Sequence, residues 1–295
     1  MNKKISIFII LFVTLHSFSQ DTIKGTKENT FRIEKSYMDI KSFRKVQNRV
    51  LTKSDSLNFM FKENDTLVLL TQKDENKFVQ LPFEYKDENF LKVYKSVAFK
   101  KSNDGKKSYQ RYWKEPLRIY ISESINKKRK TNFINFTKEI TKGIDSLNVK
   151  FVKNLNDANF VIYQKGDFEY EKNLKNLNND YYIWWDNNKI NRGFIKIDPD
   201  LNFNDNLYSE ALNKLFIKTL GHFDFTNLID CSNYFSNCDT SIKKFSRLDY
   251  EILKYHYSYG ICKGLDEEAF DNFHVRANEH KKKFPDVPYK VRHIN

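Results

Sequence analysis

The stretch that decides the fold is Asn206-Leu-Tyr-Ser-Glu-Ala-Leu-Asn-Lys-Leu-Phe-Ile-Lys-Thr-Leu-Gly-His-Phe-Asp224. Asp205 or Asn206 can cap the start of a helix here, and Gly221 can supply the left-handed residue that ends it. The apolar residues recur at helical spacing on one broad arc, and most of the charged residues lie opposite them. The stretch therefore predicts a buried amphipathic helix that ends in a tight turn.

The first twenty residues have the pattern of a secretory signal peptide. Lys3 and Lys4 precede an apolar run from Ile5 to Leu15, and Ser17-Phe-Ser19 has the small-x-small spacing of a cleavage site. The apolar run is shorter than the about 20 residues that a membrane-spanning helix needs. We therefore expect residues 1–20 to be removed and the mature chain, without a transmembrane span, to be periplasmic or extracellular.

The chain is strongly basic, with 51 Lys and Arg against 38 Asp and Glu. Basic runs occur at 127–130 and 281–283. Outside the cytoplasm the opposite charge is carried by anionic lipid or polysaccharide rather than by nucleic acid, so we expect no nucleic-acid partner. A solvated lysine-rich surface is the simplest interpretation of these runs.

The chain contains three cysteines. An exported protein meets an oxidising compartment, in which a pair of cysteines can form a disulfide. Cys231 and Cys238 bracket a short polar loop, which favours that bridge, and Cys238–Cys262 is the alternative. Either pairing leaves one thiol over.

Residues 21–105 predict a small β-rich N-terminal module. Its clearest part is a hairpin, in which strands at 66–71 and 78–83 are separated by a polar loop. The alternation of residues 91–99 indicates a further strand. No catalytic set of residues occurs in this part of the chain.

The helix and strand patterns are clearer in the main domain, residues 112–265. A C-terminal helix and tail follow at 266–295. We expect an α+β order in which the central helix is followed by the cysteine loop and a backing helix that Ser246 caps, with Asp249 in its capping box. The elements before the central helix are, in order, a strand at 117–122, a helix at 131–147, strands at 149–152 and 158–163, a polar segment at 165–188 with the aromatic run 181–185, and a strand at 193–198.

This order resembles the zincin (metzincin-like) metalloprotease fold, in particular a group of secreted bacterial zincin-like proteins. The resemblance implies a mixed sheet with residues 196–198 on an edge strand, an active-site-type helix and a backing helix. Leu220-Gly221-x-x-Asp224 resembles the end of the zincin metal motif, His-Glu-x-x-His-x-x-Gly-x-x-His/Asp. In that motif the two helical histidines hold zinc and the glutamate is the general base.

The resemblance implies that the metal motif is degraded in this chain. Alignment on Gly221 puts Lys214 and Lys218 at the two histidine positions and Leu215 at the glutamate position, with Asp224 on the third ligand. An ammonium has no lone pair for a cation, and leucine cannot move a proton. The sequence therefore favours a non-enzymatic, secreted pseudo-metalloprotease without a cofactor.

The expected role is binding or scaffolding in the cell envelope or outside the cell. A cleft floor with two lysines would suit an acidic peptide or an anionic glycan. Aromatic side chains at the rim could stack on sugars or on apolar side chains. The candidate cleft residues are Lys214, Lys218, Asp224, Tyr182, Trp184 and Trp185.

Two alternatives stay open. The first is an active metal-dependent hydrolase with relocated zinc ligands, for which His222, Asp224 and His256 are the candidates and Glu210 or Glu251 the base. The second is a structural envelope protein that is bound through its basic surface.

Overall fold

The computed structural model describes residues 37–47, 49–62, 65–71, 78–100, 107–238 and 242–294. The predicted signal peptide therefore lies outside the described residues. The chain forms two compact units. The first comprises the described residues up to Leu81 together with those from Arg292 onward, and the second runs from Pro82 to Val291. This division differs from the expected boundary near residue 105.

The first unit contains an antiparallel sheet in which β3 lies between β1 and β2. Met38, Phe43, Val68 and Leu70 form its apolar core. The elements are β1 (Tyr37–Asp39), α1 (Ile40–Gln47), α2 (Lys53–Leu57), β2 (Met60–Lys62) and β3 (Asp65–Leu69).

The predicted hairpin of residues 66–71 and 78–83 is wrong. The strand β4 (Phe78–Pro82) pairs with β11 (Lys290–Ile294) instead of with β3. Both edges of β3 are already occupied by β1 and β2, so no edge is left for β4.

The strand expected at residues 91–99 is also wrong, because these residues form the helix α3 (Glu88–Ala98). Asp87 caps the helix by accepting a hydrogen bond from the Phe90 amide at 2.9 Å. Phe90, Tyr94 and Val97 are buried at a spacing of three to four residues, which is the helical period. Leu91, Val93, Val97 and Phe99 stand at every second position, interrupted only by Lys95, and this alternation misled the prediction.

The second unit is built around a mostly parallel sheet in the order β9-β10-β8-β6-β7, with β5 paired to the start of β10. β9 is the antiparallel edge strand. Residues 196–198 were expected on an edge, but β10 lies between β8 and β9. The strands are β5 (Tyr112–Trp113), β6 (Leu117–Ile121), β7 (Val149–Phe151), β8 (Phe160–Gln164), β9 (Asp180–Asp186) and β10 (Lys189–Ile197).

The central helix is confirmed as α5 (Asp205–Gly221). Asn204, rather than Asp205 or Asn206, caps it and accepts hydrogen bonds from two backbone amides of the first turn. The Phe216 ring lies 5.0 Å from the ring of Phe133 and 5.7 Å from that of Phe160, so α5 packs on both the preceding helix and the sheet. That preceding helix is α4 (Lys127–Thr141).

The turn after α5 differs from the expectation. His222, not Gly221, has the left-handed conformation (φ 55°). Gly221 is the last helical residue, and it is small for a steric reason: a Cβ there would lie 2.4 Å from the Phe223 ring.

Two helices follow the cysteine loop, α6 (Arg247–His256) and α7 (Glu267–Lys283). Ser246 and Asp249 form the predicted capping box of α6. The Cys231–Cys238 disulfide is confirmed, and Cys262 is a free, partly buried thiol. Within the residues that the structure describes, no helix combines the length and the apolar character that crossing a bilayer requires.

Candidate functional site

The candidate site lies where the end of α5 meets the edge strand β9. Tyr181 and Trp185 lie on the same face of β9, because they are four residues apart in a strand. Both contact His222: the Tyr181 hydroxyl is 3.4 Å from His222 Nδ1, and the Trp185 and His222 rings are 5.5 Å apart. Together with Arg111 and Lys218 these side chains form what we call the basic cluster.

The turn after α5 sets the position of the helical part of the cluster. The carbonyl of Lys218 accepts hydrogen bonds from the backbone amides of His222 and Phe223. The Asp224 amide donates to the Val97 carbonyl at 2.9 Å, which holds the segment after the turn against α3. Lys218 and His222 are therefore placed one turn apart at a fixed helix end.

Arg111 is a charged group of the basic cluster that lacks hydrogen-bond and ion-pair partners in the described part of the protein. Its guanidinium stacks on the Trp185 ring, 4.0 Å from the ring centroid. Its Nε is buried without a hydrogen-bond partner, and the guanidinium makes no hydrogen bond or ion pair with any other described residue. Burial lowers the pKa of Arg111, but a guanidinium stays protonated in proteins. Five N–H donors and a positive charge thus stay unused by the described part of the protein.

Lys218 is a second half-buried cation. Its Nζ lies 4.3 Å above the centre of the Phe225 ring, and Lys214 Nζ lies 5.1 Å from the same centre. Burial lowers the pKa of Lys218, and the nearby carboxylates of Asp224 and Asp180 oppose that shift. Among the described residues Lys218 Nζ has no hydrogen-bond or ion-pair partner. Its positive charge is thus balanced only by carboxylates that form no direct ion pair with it.

His222 is neutral at physiological pH. Burial lowers its pKa to about 3, and the positive charges of Arg111, Lys100 and Lys218 add to the shift. Burial raises the pKa of the Tyr181 phenol, which therefore keeps its proton. The positive charge of the cluster consequently comes from the guanidinium and the ammonium groups.

The structure brings together only some of the residues predicted for the cleft. Lys218, Asp224 and Trp185 lie at the cluster, and Lys214 lies one helical turn before Lys218. Tyr182 and Trp184 lie on the opposite face of β9, as strand alternation requires.

The two displaced aromatic residues have structural partners on that other face. Tyr182 packs against the small apolar cluster that contains Tyr163 and Leu174. Trp184 Nε1 donates to Glu171 Oε2 at 2.9 Å. Neither side chain lines the site at the end of α5.

Sequence reasoning missed Arg111, and it gave Tyr181 only as one of the aromatic residues that could line the rim. Tyr181 could have been singled out, since it shares a strand face with Trp185 once residues 180–186 are recognised as a strand. Nothing in the sequence around Arg111 marks it, because its neighbours in the site come from distant segments of the chain.

Among the residues suggested as relocated zinc ligands, His256 has its ring nitrogens engaged within the protein. His256 is buried, with Nε2 donating to the Arg111 carbonyl at 2.8 Å and Nδ1 accepting from the Tyr94 hydroxyl at 3.0 Å. Both ring nitrogens are thus engaged within the protein. Across the described ranges, no group of three or more His, Cys, Asp or Glu side chains is arranged to hold a metal ion.

Comparison with known proteins adds no assignment to this geometry. No protein-family model matches the chain, and a search of curated proteins finds no match.

Proposed function

We propose that this chain is an exported, non-catalytic zincin-like protein that binds an acidic group of its ligand at the basic cluster. The observation that carries the proposal is the pair of half-buried cations, Arg111 and Lys218, without hydrogen-bond or ion-pair partners among the described residues. Burying a charge costs free energy unless the charge is paired. An anionic ligand would supply the missing pairing.

The likeness to zincins is supported by the arrangement of the second unit. The strands β6, β7, β8 and β10 and the helices α4 and α5 follow one another in the expected order, and β9 adds an antiparallel edge strand within the segment that was expected to be polar. Lys218 and Asp224, at the second and third ligand positions of the family motif, are close enough to interact electrostatically. Two motif positions are thus neighbours in space, although one of them now carries an ammonium group.

A binding role is favoured over hydrolysis by the residue types at these positions. Lys214 and Lys218 replace the helical ligands, and Leu215 replaces the base. Export is supported by the signal-peptide pattern of residues 1–20 and by the Cys231–Cys238 disulfide, since disulfides persist in oxidising compartments. A binding protein in the cell envelope or outside the cell fits all of these features.

The test is equilibrium binding of two acidic probes, a polyglutamate peptide and polygalacturonate, to the wild type and to Lys218→Gln. We expect the wild type to bind at least one probe. We expect Lys218→Gln to weaken that binding by roughly ten- to a hundredfold, because a hydrogen bond to a charged group contributes roughly 1.5–3 kcal/mol. Lys150→Gln is the matched control, because Lys150 is exposed on β7, at the opposite edge of the sheet from β9.

The control makes the outcome decisive. Both variants lose one positive charge, so a general attraction between a basic protein and an acidic probe weakens equally in both. Equal losses in Lys218→Gln and Lys150→Gln would contradict a site at α5. So would the absence of binding to either probe by the wild type.

A further inference from the structure

We infer that Arg111 recognises the acidic group of the ligand and that this group is a single carboxylate. The inference rests on the proposed function, because it names the residue and the ligand chemistry of the same site. It is carried by the unused donors of Arg111, by the carboxylates already present beside Lys218, and by the occupied aromatic ring faces.

The guanidinium of Arg111 is held as a flat, oriented fork. The Arg111 Cζ lies 4.0 Å over the Trp185 ring, which restrains the guanidinium, and the Arg111 backbone carbonyl accepts a hydrogen bond from His256 Nε2 at 2.8 Å. A planar guanidinium matches a carboxylate with two parallel N–H···O bonds, which adds geometric specificity to the charge. Because the fork is already oriented, little side-chain entropy is lost when the carboxylate binds.

Charge near the site limits how much negative charge a ligand can bring. Asp180 and Asp224 both act on Lys218 and on Tyr181, so two carboxylates already lie near Lys218 at the site. A second negative charge on the bound group would be repelled by these carboxylates. A monoanion therefore fits better than a phosphate dianion or a dense polyanion.

The aromatic rings at the site already carry cations. Arg111 lies over Trp185, and Lys214 and Lys218 lie over Phe225. Sugar recognition by stacking needs an apolar ring face that is open to the ligand. The ring faces that meet the cations are thus not free for stacking, which favours recognition of an isolated carboxylate over recognition of a polyuronate chain.

The experiment follows the Arg111 Nε–H signal by ¹⁵N NMR while acetate, inorganic phosphate or oligogalacturonate is added to the protein. The Arg111 signal is assigned by its loss in Arg111→Lys. We expect acetate to shift this signal saturably, and phosphate to bind about tenfold more weakly than acetate. Arg111→Lys keeps the charge but loses the fork, so we expect its acetate affinity to fall about tenfold.

Each outcome separates this inference from the function on which it rests. Wild-type protein that binds none of the acidic probes overturns both. Binding that Lys218→Gln weakens while Arg111→Lys leaves it unchanged overturns the inference alone, as does a preference for phosphate or for oligogalacturonate. If Arg111→Lys does not fold, the Arg111 Nε–H signal is assigned instead by its shift in Trp185→Phe. The titrations of the wild type with the three probes then decide, and an Nε–H signal that no probe moves overturns the inference.

Discussion

At the scale of single residues, Gly221 is the sharpest test of the turn that positions His222. A Cβ at Gly221 would lie 2.4 Å from the ring of Phe223. That ring is buried between Phe235, at 5.2 Å, and His256, at 4.6 Å, so it has little room to move. The steric demand on residue 221 is therefore set by the core and not by helix propensity.

We predict that Gly221→Ala lowers the free energy of unfolding by about 1–3 kcal/mol, the usual cost of overpacking a core. The sign is informative, because replacing glycine by alanine inside a helix otherwise stabilises it by about 1 kcal/mol. Urea unfolding monitored by circular dichroism measures the change. Ser209→Ala on the same helix serves as control and should change stability by no more than about 0.5 kcal/mol. A Gly221→Ala variant as stable as the wild type would contradict the steric account.

Residue-level prediction from the sequence worked where the partners are close in the chain. Lys218 and Asp224 lie six residues apart, across one helix end, and their proximity follows from helix-plus-turn geometry. Arg111 joins the same cluster from more than a hundred residues earlier, so no local pattern can reveal it. The unused guanidinium became visible only through tertiary packing.

At the scale of elements, α6 is joined to the segment after the central helix by one carboxylate. Asp249 Oδ2 accepts from the amides of Ser246, at 2.8 Å, and Tyr234, at 3.2 Å, and Oδ1 accepts from the Phe235 amide at 3.1 Å. The same side chain thus completes the capping box and holds the segment between the two disulfide cysteines.

We predict that Asp249→Asn destabilises the protein more than Ser246→Ala does. Asparagine keeps one oxygen acceptor, so at least one buried amide loses its partner, at a cost of about 1–3 kcal/mol. Loss of the Ser246 hydroxyl removes a single cap, which typically contributes about 1 kcal/mol. Urea midpoints of the two variants, measured side by side at pH 7, test the order. A larger loss in Ser246→Ala would mean that Asp249 acts only as part of the helix cap.

Among the elements, α5 and α6 were predictable from local sequence, whereas α3 and the strand pairing of β4 were not. The central helix and the capping box of α6 follow from local chemistry. The partner of β4 does not, because the choice between β3 and β11 depends on which sheet edges are free. α3 was mistaken for a strand because apolar residues from Leu91 to Phe99 stand at every second position apart from Lys95, although a different set is buried.

At the scale of the whole molecule, buried neutral histidines connect separate elements. His256 of α6 accepts from the hydroxyl of Tyr94 on α3, and the Tyr94 hydroxyl in turn accepts from Gln110 Nε2 at 2.8 Å. His274 of α7 pairs with the Tyr255 hydroxyl at 2.9 Å. Burial lowers the pKa of His256 to about 3 and that of His274 to about 4. Their spacing in the sequence gives no sign of this burial.

These histidines predict a loss of stability in mild acid. The unfolded chain binds protons at its histidines below a pKa of about 6.5, whereas the folded chain does not until its much lower values are reached. The free energy of unfolding therefore falls as the pH drops below about 6.5, by up to roughly 1.4 kcal/mol per pH unit for each buried histidine. Carboxylates such as Asp198, whose pKa the ammonium of Lys165 lowers, add their own loss only near and below pH 4.

The window between pH 6 and pH 5 thus isolates the histidines. Urea unfolding at pH 7, 6 and 5 measures how steeply the free energy of unfolding depends on pH. We expect His274→Gln to reduce this slope by up to roughly 1.4 kcal/mol per pH unit, the contribution of one proton. The half-buried His222 is a third contributor, so the slope in that variant should fall without vanishing. Stability that stays constant from pH 7 to pH 5 would contradict the burial of neutral imidazoles, because a proton taken up by the unfolded chain alone must shift the folding equilibrium.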